Sequence, residues 1–317
     1  MTDRPPSGAC LLAGAAGTAT AYGLLRSVRE RWGAAVRLVA ADINPPHLVA
    51  ATTLADASHQ VPLAADPGFQ ARIVELVAAE AVTVWWPVLD AEIVIAADLR
   101  ERGLLPAGVA VVAPARATAE LCLDKQAVAE RLQALGLPTP ATWPLADAPW
   151  DPAGIVVKPR SGFGSRGLRI AESETELEEI RRAAEPGLVA QPRLRGDEYT
   201  IDALRTRDGS TRAVARERIE TKAGVSTKAR VFEDAVLTEL AARLADGLEL
   251  TGPFCFQVID GAITDVNPRP GGGTRMTVAA GVDLHCAALA DVWGHMLELP
   301  PLPRERFVVR HWEENVL

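Results

Sequence analysis

Lysine is almost absent from this chain. Of 33 basic residues among 317, only Lys125, Lys158, Lys222 and Lys228 are lysine. Arginine serves wherever any cation suffices, so positions that keep a compact ammonium on a flexible stem are candidates for a particular charge contact. Net positive charge is lacking as well: the formal charge is -8. That argues against a nucleic-acid partner and leaves only a local basic patch for a phosphorylated ligand. Long apolar runs are missing, and with them any expected membrane span or membrane partner. The apolar start CLLAGAAGTATA follows Pro5-Pro6 and is broken by glycines, which reads as strand and turn rather than as a leader. Paired cysteines are missing too. Cys10, Cys122, Cys255 and Cys286 lie far apart among apolar residues, without zinc-ligand or redox spacing, and are expected to be buried thiols in a reducing, cytoplasmic setting. The five histidines show no metal-ligand spacing either. What remains is the composition of a globular protein with room for two domains of ordinary size.

The first third alternates short apolar runs with helical patterns. ACLLA at 9–13 precedes GAAGTATAYG, and Leu24, Leu25 and Val28 continue a helix towards Trp32. VRLVAAD follows and ends on Asp42, then come VTVWW at 82–86 and VAVVA at 109–113, with helices near 69–80 and 91–102. Strand, glycine turn, helix repeated in this way predicts a doubly wound parallel sheet over residues 1–118. Gly14, Gly17 and Gly23 do not form G-x-G-x-x-G, which argues against a nicotinamide dinucleotide. Asp90 and Glu92 open the helix after VTVWW. Capping and the helix dipole explain them, and their place at the carboxyl edge of the sheet adds a possible substrate contact.

Past residue 118 the pattern changes. DKQAVAERLQALG is a helix stopped by Gly136 and Pro138. IVVKP, SGFGSRG and LRIAE then read as strand, glycine loop and strand, so the loop is the tip of a hairpin. It lacks the Gly-Lys-Ser/Thr of a Walker loop. Backbone amides freed of Cβ, beside Ser161 and Ser165, instead suit a flap that closes over phosphates, with Lys158 beneath it. Further on, two long strands meet at Asp208-Gly209, and Arg216, Arg218, Lys222, Lys228 and Arg230 crowd one segment. Such crowding fits an anion site as well as it fits a solvated basic edge.

The densest stretch is PFCFQVIDGAITDVNPRPGGGTR at 253–275. Apolar runs flank Asp260-Gly261, a hairpin signal, and the two-residue period puts Asp265 and Asn267 on one face. Gln257 joins that face only if the hairpin holds an odd residue. A three-residue loop or a bulge is therefore predicted, with Gly261 left-handed. Gly271 to Gly273 let the backbone pass close to something, with Arg269 and Arg275 nearby. Hard oxygen ligands beside guanidiniums suit Mg²⁺ held on a polyphosphate.

In this order the pieces resemble the ATP-grasp superfamily, most closely its branch similar to the carbamoyl phosphate synthase large subunit and to amino-acid ligases. DKQAVAERLQALGLPTP looks like the family's opening helix, VVKPRSGFGSRG like its phosphate flap, GDEYTIDAL like its ribose-side strand, and FQVIDGAITDVNPRPGGG like its metal hairpin. The resemblance implies an α/β protein: a pre-ATP-grasp Rossmann-like domain at 1–118, then two α+β ATP-grasp subdomains at 119–190, with the flap, and 191–317, with the metal hairpin. It implies that Lys125, Lys158 and the flap residues Ser161, Gly162, Gly164, Ser165 and Gly167 contact ATP phosphates. Gln191 would lie at the adenine hinge and Glu198 would bind ribose. Gln257, Asp265 and Asn267 would hold Mg²⁺, and Arg269 would stabilise the transferring phosphoryl group. Arg218, Lys228 and Arg275 are candidates for the substrate carboxylate or acyl phosphate.

The implied reaction joins a small carboxylate, an amino acid by preference, to an amine through an acyl phosphate, releasing ADP and phosphate. Two alternatives stay open: formation of a carbamoyl or carboxyphosphate product, and a nucleotide-binding regulator without turnover. Family members commonly dimerise, an expectation that no stretch of this sequence localises. Three residues depart from the family pattern. Asp265 stands where Glu is usual, Pro192 follows Gln191 where an acidic residue is usual, and Phe163 sits in the flap where glycine is common.

Overall fold

The computed structural model describes residues 4–162, 167–222, 225–311 and 313–316. Its first part runs β1 (Cys10–Ala13), α1 (Ala19–Trp32), β2 (Arg37–Asp42), β3 (Ala57–Gln60), α2 (Phe69–Ala79), β4 (Val84–Trp86), α3 (Asp90–Glu101) and β5 (Ala110–Val111). The strands pair in parallel in the order β3-β2-β1-β4-β5, the doubly wound arrangement the alternation predicts. Leu11, Leu38 and Trp86 pack into one core, and Leu12, Val39 and Trp85 into another on the opposite face. Burial on both faces is why these strands read as unbroken apolar runs. The edge strand β3, of sequence ASHQ and only partly buried, has no such run to announce it. From β1 the chain winds outward to β2 and β3, then crosses to the other side at β4. The order therefore reverses between β1 and β4.

Helices α4 (Arg116–Leu123) and α5 (Lys125–Ala134) lead into a small antiparallel sheet. It consists of β6 (Trp143–Pro144), β7 (Ile155–Pro159), β8 (Arg169–Ala171) and, after α6 (Glu174–Ala183), β9 (Leu188–Pro192), in the order β6-β9-β7-β8. The chain continues with β10 (Glu198–Arg205), β11 (Thr211–Lys222), β12 (Val225–Phe232), α7 (Ala235–Leu248), β13 (Gly252–Ile259) and β14 (Ala262–Asn267). Helices α8 (Thr274–Ala279) and α9 (Leu284–Val292) precede the last strand, β15 (Arg306–Val309). These strands form one six-stranded sheet, β14-β13-β10-β11-β12-β15. One face of it packs Ile201, Phe254, Phe256 and Val258 against Leu240, Leu244 and Leu248 of α7. The other face is therefore free to carry polar residues. Asp124, Ser173, Asp234 and Asp283 accept first-turn N–H groups and fix where α5, α6, α7 and α9 begin.

Between α1 and α9, His285 is buried with Nδ1 3.0 Å from Ser27 Oγ. Burial drives it down from 6.5 to about 4. The unfolded chain thus binds a proton that the fold refuses. The neutral ring's stabilisation is complete above 6.5 and is lost as pH falls towards about 4, amounting to roughly 3 kcal/mol. Urea unfolding across that interval is expected to show this slope, and a His285→Asn protein to lack it. Equal slopes in the two proteins would remove the assignment.

Candidate active site

The polar face of the six-stranded sheet is ordered by its registers. Asp265 pairs with Gln257, Gln257 with Thr200, and Thr200 with Arg216, a row across four strands. The next row is Asn267, Cys255 and Asp202. Gln257 and Asp265 share this face because the β13–β14 ladder shifts between Gln257 and Val258. Val258 opposes Ile263 and Gln257 opposes Asp265, which leaves Thr264 as the extra residue. The predicted bulge is present, and Gly261 is left-handed with φ of 75°. The bulge lies along the ladder rather than at the tip, where Asp260 and Gly261 make a two-residue turn with both φ positive. Turned out of the ladder, the Thr264 carbonyl accepts from Lys158 Nζ at 2.8 Å.

Lys158 reaches it from β7, so the two antiparallel sheets face each other across a cleft of about 480 Å³. Lys125, Lys158, Gly162 and Gln191 line one side, and Glu198, Arg218, Gln257 and Asp265 the other. Burial, reinforced by the Lys125 charge, brings Lys158 down to about 8 against the pull of Asp265. An anion in the cleft would restore its charge. Lys125 Nζ donates to Gly162 O at 2.7 Å. Gln191 is buried and donates through Nε2 to Thr142 Oγ1 at 2.7 Å, while Glu198 pairs with Arg218.

Asn267 and Arg269 continue the site inward. Asn267 Nδ2 donates to Asp265 Oδ2 at 2.9 Å, and Arg269 Nη2 to Asn267 Oδ1 at 3.3 Å. Arg269 also donates to Asp90 of α3, from Nε to Oδ1 at 2.7 Å and from Nη2 to Oδ2 at 3.3 Å. Burial opposes the Arg269 charge, but Asp90 outweighs it and raises the guanidinium above its usual value. Asp90, read from sequence chiefly as a helix-start residue, is thus a clamp between the parallel-sheet part and the segment that follows the β13–β14 hairpin. No local pattern links two residues so far apart in the chain.

Beneath this row lies a second buried pair. Arg216 donates to Asp202 from Nε at 2.5 Å and from Nη2 at 3.1 Å. Asp202 also accepts from Thr274 Oγ1 at 2.8 Å and Thr277 Oγ1 at 2.5 Å. Arg216 is what the glycine run passes: a Cβ on Gly273 would collide with its guanidinium, and one on Gly271 would lie 3.2 Å from Cys255 Sγ. All four cysteines are buried free thiols, and burial pushes Cys122 and Cys255 up to about 12.

Other expected site residues lie elsewhere. Lys228, 49% exposed, pairs with Glu220 at 2.9 Å and is not among the cleft-lining residues. The ladder slips on both sides of Glu220, which ends the alternation that keeps Arg216 and Arg218 on the polar face. Arg275 turns to α1, donating to Ser27 Oγ at 3.1 Å and pairing with Glu30. Ser161 is exposed beside the cleft, and Gly167 has φ of 75°. Phe163, Gly164 and Ser165 lie outside the described residues.

The oxygens of Gln257, Asp265 and Asn267 are hard donors but include one carboxylate, and the described residues hold no group of three or more His, Cys, Asp or Glu fit for a metal. Such a set fits Mg²⁺ carried largely by phosphate and water, and not a cation needing a full protein cage.

Comparison with known proteins finds one family model that matches part of the chain. Residues 184–315 match a family model described as "ATP-grasp in the biosynthetic pathway with Ter operon". Comparison with curated proteins finds no match. Among solved structures, N5-carboxyaminoimidazole synthetase from Staphylococcus aureus superposes with a TM-score of 0.74 at 14% identity, over 96% of this chain and 82% of that one. L-amino acid ligase from Bacillus licheniformis gives 0.71 at 16%, over 91% and 75%. Biotin carboxylase from Campylobacter jejuni, in complex with β-γ-ATP, gives 0.69 at 16%, over 91% and 72%. At such identities the likeness is one of fold.

Proposed function

Because this chain has the ATP-grasp fold and carries the sequence of an ATP-grasp family over residues 184–315, we propose that it is an ATP-dependent carboxylate-amine ligase acting on small molecules. The observation that carries the reading is the cleft itself. Two of the chain's four lysines stand across from Gln257 and Asp265, and the Asn267–Arg269 chain leads inward from them. Cations on one wall and hard oxygens on the other suit a magnesium-bound polyphosphate.

In this reading Lys125 and Lys158 bind the phosphates, and Glu198, held by Arg218, accepts from the ribose hydroxyls. Gln257, Asp265 and Asn267 would hold Mg²⁺, which would supply positive charge against the phosphates. A substrate carboxylate oxygen attacks the γ-phosphorus, ADP departs with the electron pair of the broken P–O bond, and the product is an acyl phosphate. The Arg269 guanidinium, oriented by Asp90, neutralises the charge that spreads over the moving phosphoryl oxygens. An amine then forms the C–N bond as phosphate leaves. The cleft between the two sheets keeps water from the acyl phosphate. By likeness of fold, the L-amino acid ligase stands with the amino-acid reading, and biotin carboxylase and N5-carboxyaminoimidazole synthetase stand with the carboxyphosphate alternative.

The test is ADP release from MgATP across a panel of amino acids, with hydroxylamine present to trap activated acids as hydroxamates. ADP together with one hydroxamate is the expected result. ADP formed only with bicarbonate would replace this reading by the carboxyphosphate one, and binding of MgATP without any turnover would replace it by the regulatory one.

A further inference from the structure

The loop after β1 is where a dinucleotide-binding sheet presents free backbone N–H groups to a phosphate. Here the protein's own groups take those donors. Gly14 N–H is bonded to Trp86 O at 3.2 Å, Ala16 N–H to Ala41 O at 3.0 Å, and Gly17 N–H to Asp42 Oδ2 at 2.7 Å. The Glu92 carboxyl lies against the Ala15 backbone, whose N–H favours its charged form. Two acids, one from the end of β2 and one from the first turn of α3, therefore hold the place an anion would take. The crevice has reversed its polarity.

This closeness is built into the backbone. A Cβ on Gly14 would collide with Glu92 Oε2, and one on Gly17 would lie 3.0 Å from Asp42 Oδ2. Ala15 holds a φ of 44°, a left-handed conformation that costs an L-residue roughly 1–2 kcal/mol. Asp42 is otherwise satisfied, since its Oδ1 accepts from Asn44 N at 2.9 Å and Nδ2 at 2.8 Å. Glu92 is not. It is 5% exposed, and its Oε2 is fully buried without a hydrogen-bond partner. A buried oxygen left so costs about 1–3 kcal/mol, which a donor-rich ligand would recover. This oxygen, on the first turn of α3, stands beside the β1–β4 reversal, the crevice where open parallel sheets bind ligands. On the same helix turn, Asp90 grips Arg269.

We propose that the β1–β4 crevice binds the amine substrate as its ammonium ion, with Glu92 as the acceptor and Asp42 as the supporting charge. The identity of that cation as a reactant rests on the ligase reading, whereas the cation site does not. Within that reading the Glu92 carboxylate takes a proton from the ammonium, and the freed nitrogen lone pair forms the C–N bond as the acyl C–O bond breaks. Phosphate leaves with that electron pair and takes the amine's second proton.

Burial, then the Asp42 charge, pushes Glu92 up to about 8 against the Ala15 N–H. The groups around it are Asp42 from β2, that N–H from the loop after β1, and on its own helix Asp90, which is engaged with Arg269. Because only the ionised carboxyl accepts an ammonium, binding at neutral pH expels a proton and tightens as pH rises towards about 8.

Calorimetric titration of the full chain with L-alanine, L-lysine, methylammonium and, as the opposing probe, inorganic phosphate tests this. A cationic probe is expected to bind with proton release at neutral pH, and to bind about tenfold or more weakly, without that release, to a Glu92→Gln protein. Asp42→Asn, which keeps an acceptor for Gly17, is expected to weaken binding and to move its pH midpoint below about 8. It carries the test should Glu92→Gln fail to fold. Binding of phosphate in place of the cations, no binding of any cation, or binding indifferent to these changes would overturn the site. Cation binding by a protein that forms neither ADP nor hydroxamate would overturn the ligase reading and leave the site standing.

Discussion

An Arg269→Lys enzyme is expected to form ADP about a thousandfold more slowly than the wild type while holding MgATP nearly as well. Lysine keeps a cation against Asp90, so no buried carboxylate is stranded and the fold survives the change. It loses the planar fork that reaches Asp90, Asn267 Oδ1 and Pro270 O together. A point charge on a flexible stem does not reproduce a guanidinium held on both sides. Single-turnover ADP formation with a separate nucleotide-binding titration checks this, and a rate within tenfold of wild type would remove Arg269 from the chemistry. Asp90→Asn should cost less, about 10- to 100-fold, because the guanidinium remains but its orientation loosens. That variant acts through a group that meets no phosphate, so nucleotide affinity should not follow the rate.

The second large effect concerns stability. Asp202→Ala is expected to destabilise the protein by about 3–5 kcal/mol. Arg216 and Asp202 are 2% and 1% exposed, so removing the carboxylate leaves a guanidinium in the interior with no counter-charge, and Thr274 and Thr277 lose their acceptor. Asp202→Asn should cost less because the amide oxygen still accepts. Urea unfolding of the three proteins checks the order, and an Asp202→Ala midpoint equal to that of wild type would show that the pair adds nothing. Gly273→Ala should weaken the same knot from above, since its methyl would meet the Arg216 guanidinium.

The sequence carries the parts of this protein that depend on local chemistry. The strand runs of the parallel sheet are apolar because both faces are covered, and the Asp260-Gly261 turn takes the residues its positive φ values require. The bulge beside Gln257 follows from parity alone, because no regular two-residue hairpin puts Gln257 and Asp265 on one face. Parity does not say where along the ladder the extra residue sits, and the structure puts it at Thr264.

Pairings between distant elements are the part that stays hidden. Arg269 with Asp90, Arg216 with Asp202 and Arg275 with Glu30 all look the same in sequence: an arginine among polar neighbours. The crowd of cations between 216 and 230 reads as one anion site, yet it divides by depth and register. Arg216 is buried, Arg218 lines the cleft, and Lys228 and Arg230 on β12 meet Glu220 and Glu217 of β11. Lysine scarcity singles out all four lysines, and only the fold separates Lys125 and Lys158, which line the cleft, from Lys222 and Lys228.

Thr264 bears on how such a chain can diverge. Its contribution is a main-chain carbonyl offered to Lys158, which almost any amino acid supplies, so point changes at this position should be nearly silent. Losing the residue altogether is another matter. One codon fewer would straighten the ladder and shift its partners by one place, turning Asp265 and Asn267 towards the oily side and Val266 towards the cleft. Kin that keep the same chemistry should therefore vary freely in spelling at 264 while never varying in length there.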